Sequence, residues 1–332
     1  MPKLKSNKAI YRDYVEGFRK TSDDCFRDVI SAFYASDAHI NVVHPFNELV
    51  GVDGIRSGLF DGLAHAFHGL HRVDYIAFSG DFEQGDWVTS TGYYVGKFVN
   101  PWLGIKPSGA LAYLRFGEFH RMENGKAVES YIYFDIPELM ISVGQWPIQS
   151  SPGKERGYTG YLPGPMTQDG LQWHLNDSER SRFSANHVTE MLRSLATEDE
   201  AWRPYWHKDM MWYGPAAFGS FNGIEDFSGF QVPFENIFSE WIGGSVDGSQ
   251  TKHFARFGDG DYVCSGGWPS LNCLQVKPFL DQPSTGVRLY MRVCDWWRLE
   301  GDLLAENWVF VDIPHVLLQM GYDLLGELET VE

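Results

Sequence analysis

The chain has 332 residues, 43% apolar and 21% charged, which suits two globular domains of about 150 residues each. A net charge of −17 opposes contact with a phosphate backbone, so we expect no nucleic acid partner. No segment approaches the roughly 18 uncharged apolar residues of a membrane span, which predicts a cytoplasmic protein without a membrane partner. The four cysteines form no C-x-x-C pair, which argues against a zinc ribbon or a disulfide framework.

The first half of the chain predicts helices followed by strands. A helical segment over 23–35 precedes a short strand and a helix that begins near Gly54. Alternating apolar and polar residues over 88–95 and 110–121 are typical of half-buried antiparallel strands, and Asn124-Gly125 is typical of a tight hairpin turn. This order favours an α+β fold with a curved antiparallel sheet against helices.

The second half repeats this order, beginning with a helix over 178–197. The segment FDIPELMISVG from Phe134 matches VDIPHVLLQMG from Val311, an offset of 177 (312 − 135). The repeat predicts a first domain over 1–148, a linker rich in Ser, Pro and Gly over 149–177, and a second domain over 178–332. Gly54 matches Gly223 at the smaller offset of 169 (223 − 54), and we expect the extra residues in the turn 281–286.

The arm after each hairpin places two aromatic rings and a carboxylate on one strand face. These residues are Tyr131, Tyr133 and Asp135 in the first copy and Trp308, Phe310 and Asp312 in the second. Such a carboxylate is either a cap for the next turn or a base in an apolar pocket. The high aromatic content, 15% with 12 Trp, fits filled cores or pockets for flat apolar ligands.

The residues around these strands resemble the SnoaL-like polyketide cyclases of the nuclear transport factor 2-like superfamily. The turn 104–109 and the segment from Arg115 to Asp135 follow the motif of that family, with Ser for Thr, Ala for Lys, Glu118 for Asp and Tyr131 for Trp. The second copy is closer to it, with Arg292, Asp295, Arg298, Glu306, Trp308 and Asp312. The resemblance implies two tandem cone-shaped domains, and in this family the final Asp is the acid/base residue of an aldol ring closure that uses no metal or organic cofactor.

The resemblance therefore nominates Asp135 and Asp312 as catalytic residues. Each also precedes Ile-Pro, where a carboxylate readily caps the following turn, and the two roles stay open. His44 and Tyr213 end the first strand of their copies and are further catalytic candidates, as a proton shuttle and an oxyanion donor. Predicted substrate-binding residues are Tyr131, Tyr133, Arg115, Trp308, Arg292 and Tyr94.

Histidines at two places in the chain are weaker candidates for a functional site. His65, His68 and His71 are spaced three apart, but we expect their helix to end near Gly69, so they would not share one face for a metal. His253 precedes a strand-turn signal and faces either the second cavity or outward. No nucleotide-binding, serine hydrolase or zinc protease motif occurs in the sequence.

These features predict a cofactor-independent acid/base enzyme acting on a hydrophobic aromatic small molecule. A lyase of the aldol or retro-aldol type, a cyclase, an isomerase and a dehydratase use the same acid/base groups. A non-catalytic module for ligand binding or dimerisation is the alternative. Related single domains commonly dimerise, so the two copies are expected to form that dimer internally, with further self-association left open.

Overall fold

The computed structural model describes residues 6–20, 26–83, 85–148, 152–153, 163–195, 200–243 and 251–329. The chain divides into two compact units. The first comprises Met1–Gln145, Pro163–Leu175 and Leu325–Glu332, and the second comprises Trp146–Leu162 and Asn176–Leu324. Cys25 and much of the predicted linker lie outside the described residues. Within the described ranges, no helix is long and apolar enough to cross a membrane.

The first unit is built on a six-stranded sheet with the order β2-β1-β6-β5-β4-β3. All neighbouring strands are antiparallel except β1 and β6, which run parallel. The strands are β1 (Tyr34–Val42), β2 (Asn47–Val50), β3 (Phe67–Phe82), β4 (Gly85–Phe98), β5 (Leu111–Glu123) and β6 (Lys126–Phe134).

Helices of the first unit cover one face of this sheet. They are α1 (Asn7–Lys20), α2 (Phe26–Phe33), α3 (Gly51–Ile55), a π-helical turn (Arg56–Phe60), α4 (Asp61–Ala66) and α5 (Ile136–Ser142). Helix α1 is amphipathic because apolar residues recur in it at the helical spacing, and four of them are buried: Tyr11, Tyr14, Val15 and Phe18.

The second unit repeats the architecture with the order β10-β11-β12-β13-β7-β8, and β9 also pairs with β11. Its one parallel pair is β13 with β7. The strands are β7 (Trp206–Tyr213), β8 (Ser220–Asn222), β9 (Phe238–Gly243), β10 (His253–Asp259), β11 (Tyr262–Gln275), β12 (Arg288–Glu300) and β13 (Leu303–Val311). The helical segments are α6 (Ser178–Arg193), a 3₁₀ turn (Arg203–Tyr205), α7 (Ile224–Glu235) and α8 (Ile313–Gln319), whereas α9 (Gly326–Glu329) belongs to the first unit.

The predicted α+β class is confirmed in both units, although each sheet is mixed rather than wholly antiparallel. The expected position of the extra residues is wrong. The strand pairs Lys97–Leu111 and Leu274–Arg288 each enclose a connection of the same length (111 − 97 and 288 − 274, both 14), so the turn 281–286 contains no insertion. The predicted helix end near Gly69 is also wrong, because α4 ends at Ala66 and β3 begins at Phe67.

Two of the eight extra residues (177 − 169) of the second unit lie in an irregularity of β11. Gly267 pairs with Val293 and Leu271 with Met291, so four steps along β11 face two along β12. In the first unit, Gly92 and Tyr94 face Phe116 and Leu114 without such a shift. The bulge therefore inserts two residues at this point and displaces Ser270 relative to a regular strand.

Candidate active site in the second unit

An apolar cavity of about 140 Å³ lies inside the second unit, between the sheet and helices α6 and α7. The strands contribute alternate residues to it, as a pleated sheet requires: Met291, Val293, Asp295 and Trp297 from β12, and Asn307, Val309 and Val311 from β13. Opposite the sheet, the cavity is closed by large apolar side chains, among them Met191, Phe227, Phe230 and Phe234.

Asp295 supplies a carboxylate to this apolar cavity. The side chain of Asn307, from the neighbouring strand, donates to Asp295 Oδ1 at 3.4 Å and to the carbonyl oxygen of Trp296 at 3.0 Å. Because Asn307 is only 3% exposed and anchored to the backbone, it holds the carboxylate in a defined orientation. A carboxylate that has a fixed orientation in a largely apolar cavity is suited to accept a proton from a bound molecule.

His253 lines the same cavity from β10. It is 3% exposed, and its Nε2 lies 3.0 Å from the hydroxyl oxygen of Ser270, in the bulge of β11. His253 pairs with Gly267 and Asp295 with Ser265, so the two side chains stand on strands that flank β11. Strands two places apart are separated by about 10 Å, which leaves room for a small molecule between imidazole and carboxylate.

Two indole groups belong to residues of the cavity wall but offer it no hydrogen-bond donor. Trp206 and Trp297 both line the cavity, and among the described residues their Nε1 atoms are buried without a hydrogen-bond partner. Because these nitrogen atoms have almost no accessible surface, the indole rings contribute apolar surface to the cavity.

The equivalent positions of the first unit form a closed ionic cluster. Glu118 is the counterpart of Asp295, since it pairs with Ser90 as Asp295 pairs with Ser265. The guanidinium of the fully buried Arg72 donates to Glu118 Oε1 at 2.5 Å and to Asp74 Oδ1 at 2.8 Å. Asp74 is the counterpart of His253, because these residues pair with the matched glycines of β4 and β11.

Aromatic side chains from α1 cover that cluster. The hydroxyl of Tyr11 donates to Glu118 Oε1 at 2.7 Å and accepts from the hydroxyl of Ser90 at 2.7 Å, and the guanidinium of Arg72 lies over the rings of Tyr14 and Phe18. Burial opposes ionisation of Glu118, but Arg72 and His120 outweigh it and hold the pKa of this carboxyl at about 2. In the interior of the first unit, the charges of Asp74 and Glu118 are thus paired with that of Arg72.

Asp135 and Asp312 have the same surroundings in the two units. Asp312 Oδ1 accepts a hydrogen bond from the backbone N–H of His315 at 3.3 Å, and Arg292 donates to Asp312 Oδ2 at 3.0 Å. Asp135 caps α5 in the same way, and Arg115 lies 3.6 Å from its carboxylate. The structure shows the capping interaction for both residues, while their role in catalysis remains a prediction.

The other predicted site residues lie apart from the cavity of the second unit. Trp308 is buried and stacks on Tyr213 with ring centroids 5.2 Å apart, and the hydroxyl of Tyr213 donates to Glu306 at 3.4 Å. By alternation along β13, Trp308 projects to the face opposite Asn307 and Val309. Arg292 lies over the ring of Trp268 at 4.2 Å.

In the first unit, the predicted residues are spread over both sheet faces. Tyr94 belongs to the interior and accepts a 3.4 Å hydrogen bond from Arg72. The hydroxyl of Tyr131 donates to a carboxylate oxygen of Glu129 at 2.8 Å. Tyr133, two residues further along β6, is buried. His44 lies half-buried in the turn between β1 and β2. Their predicted roles in substrate binding and catalysis remain untested by this arrangement.

Sequence reasoning gave little weight to the residues that the cavity brings together. The sequence left two orientations open for His253, towards the second cavity or outward. It identified Asp295 only as a motif position aligned with Glu118. The available signal was the strand period, since Asp295 and Asn307 have the parity of the apolar residues Val293 and Val309. Among the described residues, no group of three or more His, Cys, Asp or Glu side chains is placed to hold a metal ion.

Comparisons with known proteins find similarities among solved structures. No protein-family model and no curated protein sequence matches the chain. Similar solved structures include AclR from Streptomyces galilaeus, a candidate hydroxylase, at 19% identity and a TM-score of 0.36, over 42% of this chain and 97% of that one. A candidate SnoaL-like polyketide cyclase from Jannaschia sp. CCS1 is similar at 18% identity and a TM-score of 0.35, over 44% and 99%.

A third similar structure is IdmH from Streptomyces antibioticus, a candidate polyketide cyclase. It shares 15% identity at a TM-score of 0.34, over 40% of this chain and 97% of that one. These similarities assign no role to any residue. The fold and the candidate site rest on the strand order, the register and the cavity described above.

Proposed function

We propose that the second unit is a cofactor-independent acid/base enzyme for a hydrophobic aromatic small molecule. One observation carries this proposal: Asp295 and His253 face a common cavity whose remaining wall is largely aromatic and aliphatic. Proton transfer next to a carbonyl or an activated ring needs a base, a donor for the developing oxyanion and a dry pocket. Asp295 provides the base and His253 the donor, and the apolar wall provides the dry pocket.

In the proposed mechanism, Asp295 accepts a proton from a carbon or hydroxyl group of the substrate. The electron pair moves onto a carbonyl or ring oxygen. His253 donates a hydrogen bond to that oxygen from a protonated ring nitrogen that faces the ligand. In an aldol closure the enolate carbon then attacks a second carbonyl carbon, and the alkoxide that forms takes up the proton held by Asp295. In a retro-aldol cleavage the C–C bond breaks instead, as in formaldehyde release from a lignin-derived diaryl compound.

Isomerisation and dehydration remain alternatives on the same groups, because both begin with the same proton transfer. For the first unit we propose a non-catalytic role. Its counterpart carboxylate, Glu118, is bonded to Arg72, Tyr11 and His120 and is 1% exposed, so a substrate would have to displace buried ionic partners to reach it.

Hydrogen exchange at an enolisable probe tests the base without knowledge of the natural substrate. We would follow by NMR the loss of α-protons of 2-tetralone in D₂O with wild type, Asp295→Asn and Asp312→Asn. Removing a general base is expected to slow catalysed exchange by about 10²-fold or more. Asp209→Asn is the matched control, because the Asp209 side chain is 66% exposed.

The two candidate bases give opposite results in this experiment. Loss of exchange in Asp295→Asn with retention in Asp312→Asn supports the cavity assignment. The reverse result supports the motif-based hypothesis, and exchange at the wild-type rate in both variants would mean that neither carboxylate is the base. A wild-type protein that binds the probe but exchanges no protons faster than buffer would support the ligand-binding alternative.

A further inference from the structure

A second apolar pocket, of about 270 Å³, lies beside the cavity in the same unit. We call it the outer pocket. It is formed by the turn before β8, by α7 and by the connection between β11 and β12, through Ala217, Gly229, Pro233, Ile237, Phe279 and Leu280.

Three aromatic side chains belong to both the cavity and the outer pocket. Phe218, Phe230 and Phe234 line each of them, and their ring centroids are 5.3 to 5.7 Å apart. The two spaces are therefore separated by one layer of rings that a bound molecule could contact from either side. Phe279 extends the same cluster into the outer pocket, 5.9 Å from Phe234.

Helix α7 lacks a side chain at the position where it borders the outer pocket. Gly229 has no side chain there, and a Cβ atom added at this position would meet no atom within 4 Å. Pro233, one turn later, has no N–H and cannot donate to the carbonyl oxygen of Gly229. The helix thus presents open space and a carbonyl oxygen without its usual helical donor, instead of the side chain and hydrogen bond of a regular turn.

The loops that complete the outer pocket hold non-glycine residues in left-handed conformations. Ala217 has a φ of 75°, Leu280 of 49° and Asp281 of 59°. Side-chain-bearing residues adopt this region at a cost, and such residues concentrate at ligand-binding sites. The matched turn of the first unit has the same conformation, with a φ of 53° at Leu103 and 78° at Gly104, so the left-handed conformation at Leu280 and Asp281 reflects the shared turn.

The sizes of the two spaces indicate what they hold. An apolar cavity of about 150 Å³ accommodates one benzene molecule, so the cavity of about 140 Å³ suits a single aromatic ring. The outer pocket is about twice as large and has room for a second ring with its substituents.

We infer that the outer pocket is a second subsite, and that the ligand has two aromatic rings on a short linker, with one ring in each space. The linker passes between Phe218, Phe230 and Phe234. A hydroxyl group on the outer ring can donate to the carbonyl oxygen of Gly229. This inference rests on the proposed function only in placing the reacting ring in the cavity.

Calorimetric titration with two probes tests this arrangement on the full chain. The probes are 4-benzylphenol, which has two rings, and p-cresol, which has one. We expect wild type to bind 4-benzylphenol about tenfold more tightly or better, because the second ring is buried. Gly229→Leu, which fills the outer pocket, should remove most of that advantage and leave p-cresol binding unchanged.

Gly229→Ala is the matched control, because a methyl group leaves most of the outer pocket open, and both variants favour a helix over glycine. Circular dichroism and thermal melting establish that each variant is folded. Equal affinity of wild type for the two probes overturns the inference, as does undiminished 4-benzylphenol binding in Gly229→Leu or no binding of either probe. These results are independent of proton exchange by Asp295, so failure here and failure of the proposed base are distinguishable.

Discussion

Replacing Arg72 by Met should destabilise the first unit strongly. The Arg72 side chain is fully buried and donates to Asp74 and Glu118, so its removal leaves two buried carboxylates without their cation. Breaking a buried ion pair in this way costs about 3–5 kcal/mol. That is a large part of the roughly 5–15 kcal/mol that stabilises a typical domain.

The pKa of Glu118 gives an independent magnitude. Its fall from 4.5 to about 2 on folding corresponds to roughly 3 kcal/mol of stability at neutral pH. Because the folded pKa is the lower one, this contribution is complete above pH 4.5 and is lost as the pH falls towards 2. In Arg72→Met, burial raises the pKa of Glu118 instead, so the difference between variant and wild type should shrink as the pH is lowered from 7 to 4.

Hydrogen–deuterium exchange resolved by peptide can measure this loss unit by unit. Peptides from β3 and β5 report the first unit, and peptides from β12 and β13 serve as an internal reference. Arg121→Met is the matched control, since Arg121 is 30% exposed in its ion pair with Glu129, and such pairs contribute about 0–1 kcal/mol. An Arg72→Met effect no larger than that of Arg121→Met would refute the structural role of the cluster.

Other expectations concern the second unit. Asp312→Ala should cost about 0.5–2 kcal/mol or more, measured by thermal melting, because α8 loses its cap; lost turnover at an unchanged Tm would instead favour the catalytic role. Burial raises the pKa of the Cys273 thiol to about 12, so a thiol reagent at pH 8 should leave it unlabelled in native protein and label it in urea, as peptide mapping would reveal. His253→Gln should slow the catalysed exchange of probe protons by about 10²-fold, because an amide cannot take part in proton transfer, and exchange at the wild-type rate would assign the donor role to another group.

Local sequence patterns predicted much of the fold. The repeat of Asp-Ile-Pro at positions 135 and 312 predicted two equivalent strand-to-helix junctions, and both Asp residues cap the helices that follow. These features follow from neighbours in the sequence, since a cap needs only a carboxylate and the backbone N–H groups of the next turn. The position of the extra residues was mistaken, because a bulge such as that before Leu271 has no turn signal in the sequence.

The sequence by itself determined the two copies, their α+β class and the alternation of each strand, because these depend on short-range periodicity. Alternation along a strand defines two sheet faces, however, and does not show on which face the helices leave a cavity. Only the tertiary structure placed Asp295 and His253, on strands that are not adjacent, at one cavity. It also decided that Arg72 and the rings of α1 fill the corresponding interior of the first unit, since that outcome depends on packing between residues far apart in the chain.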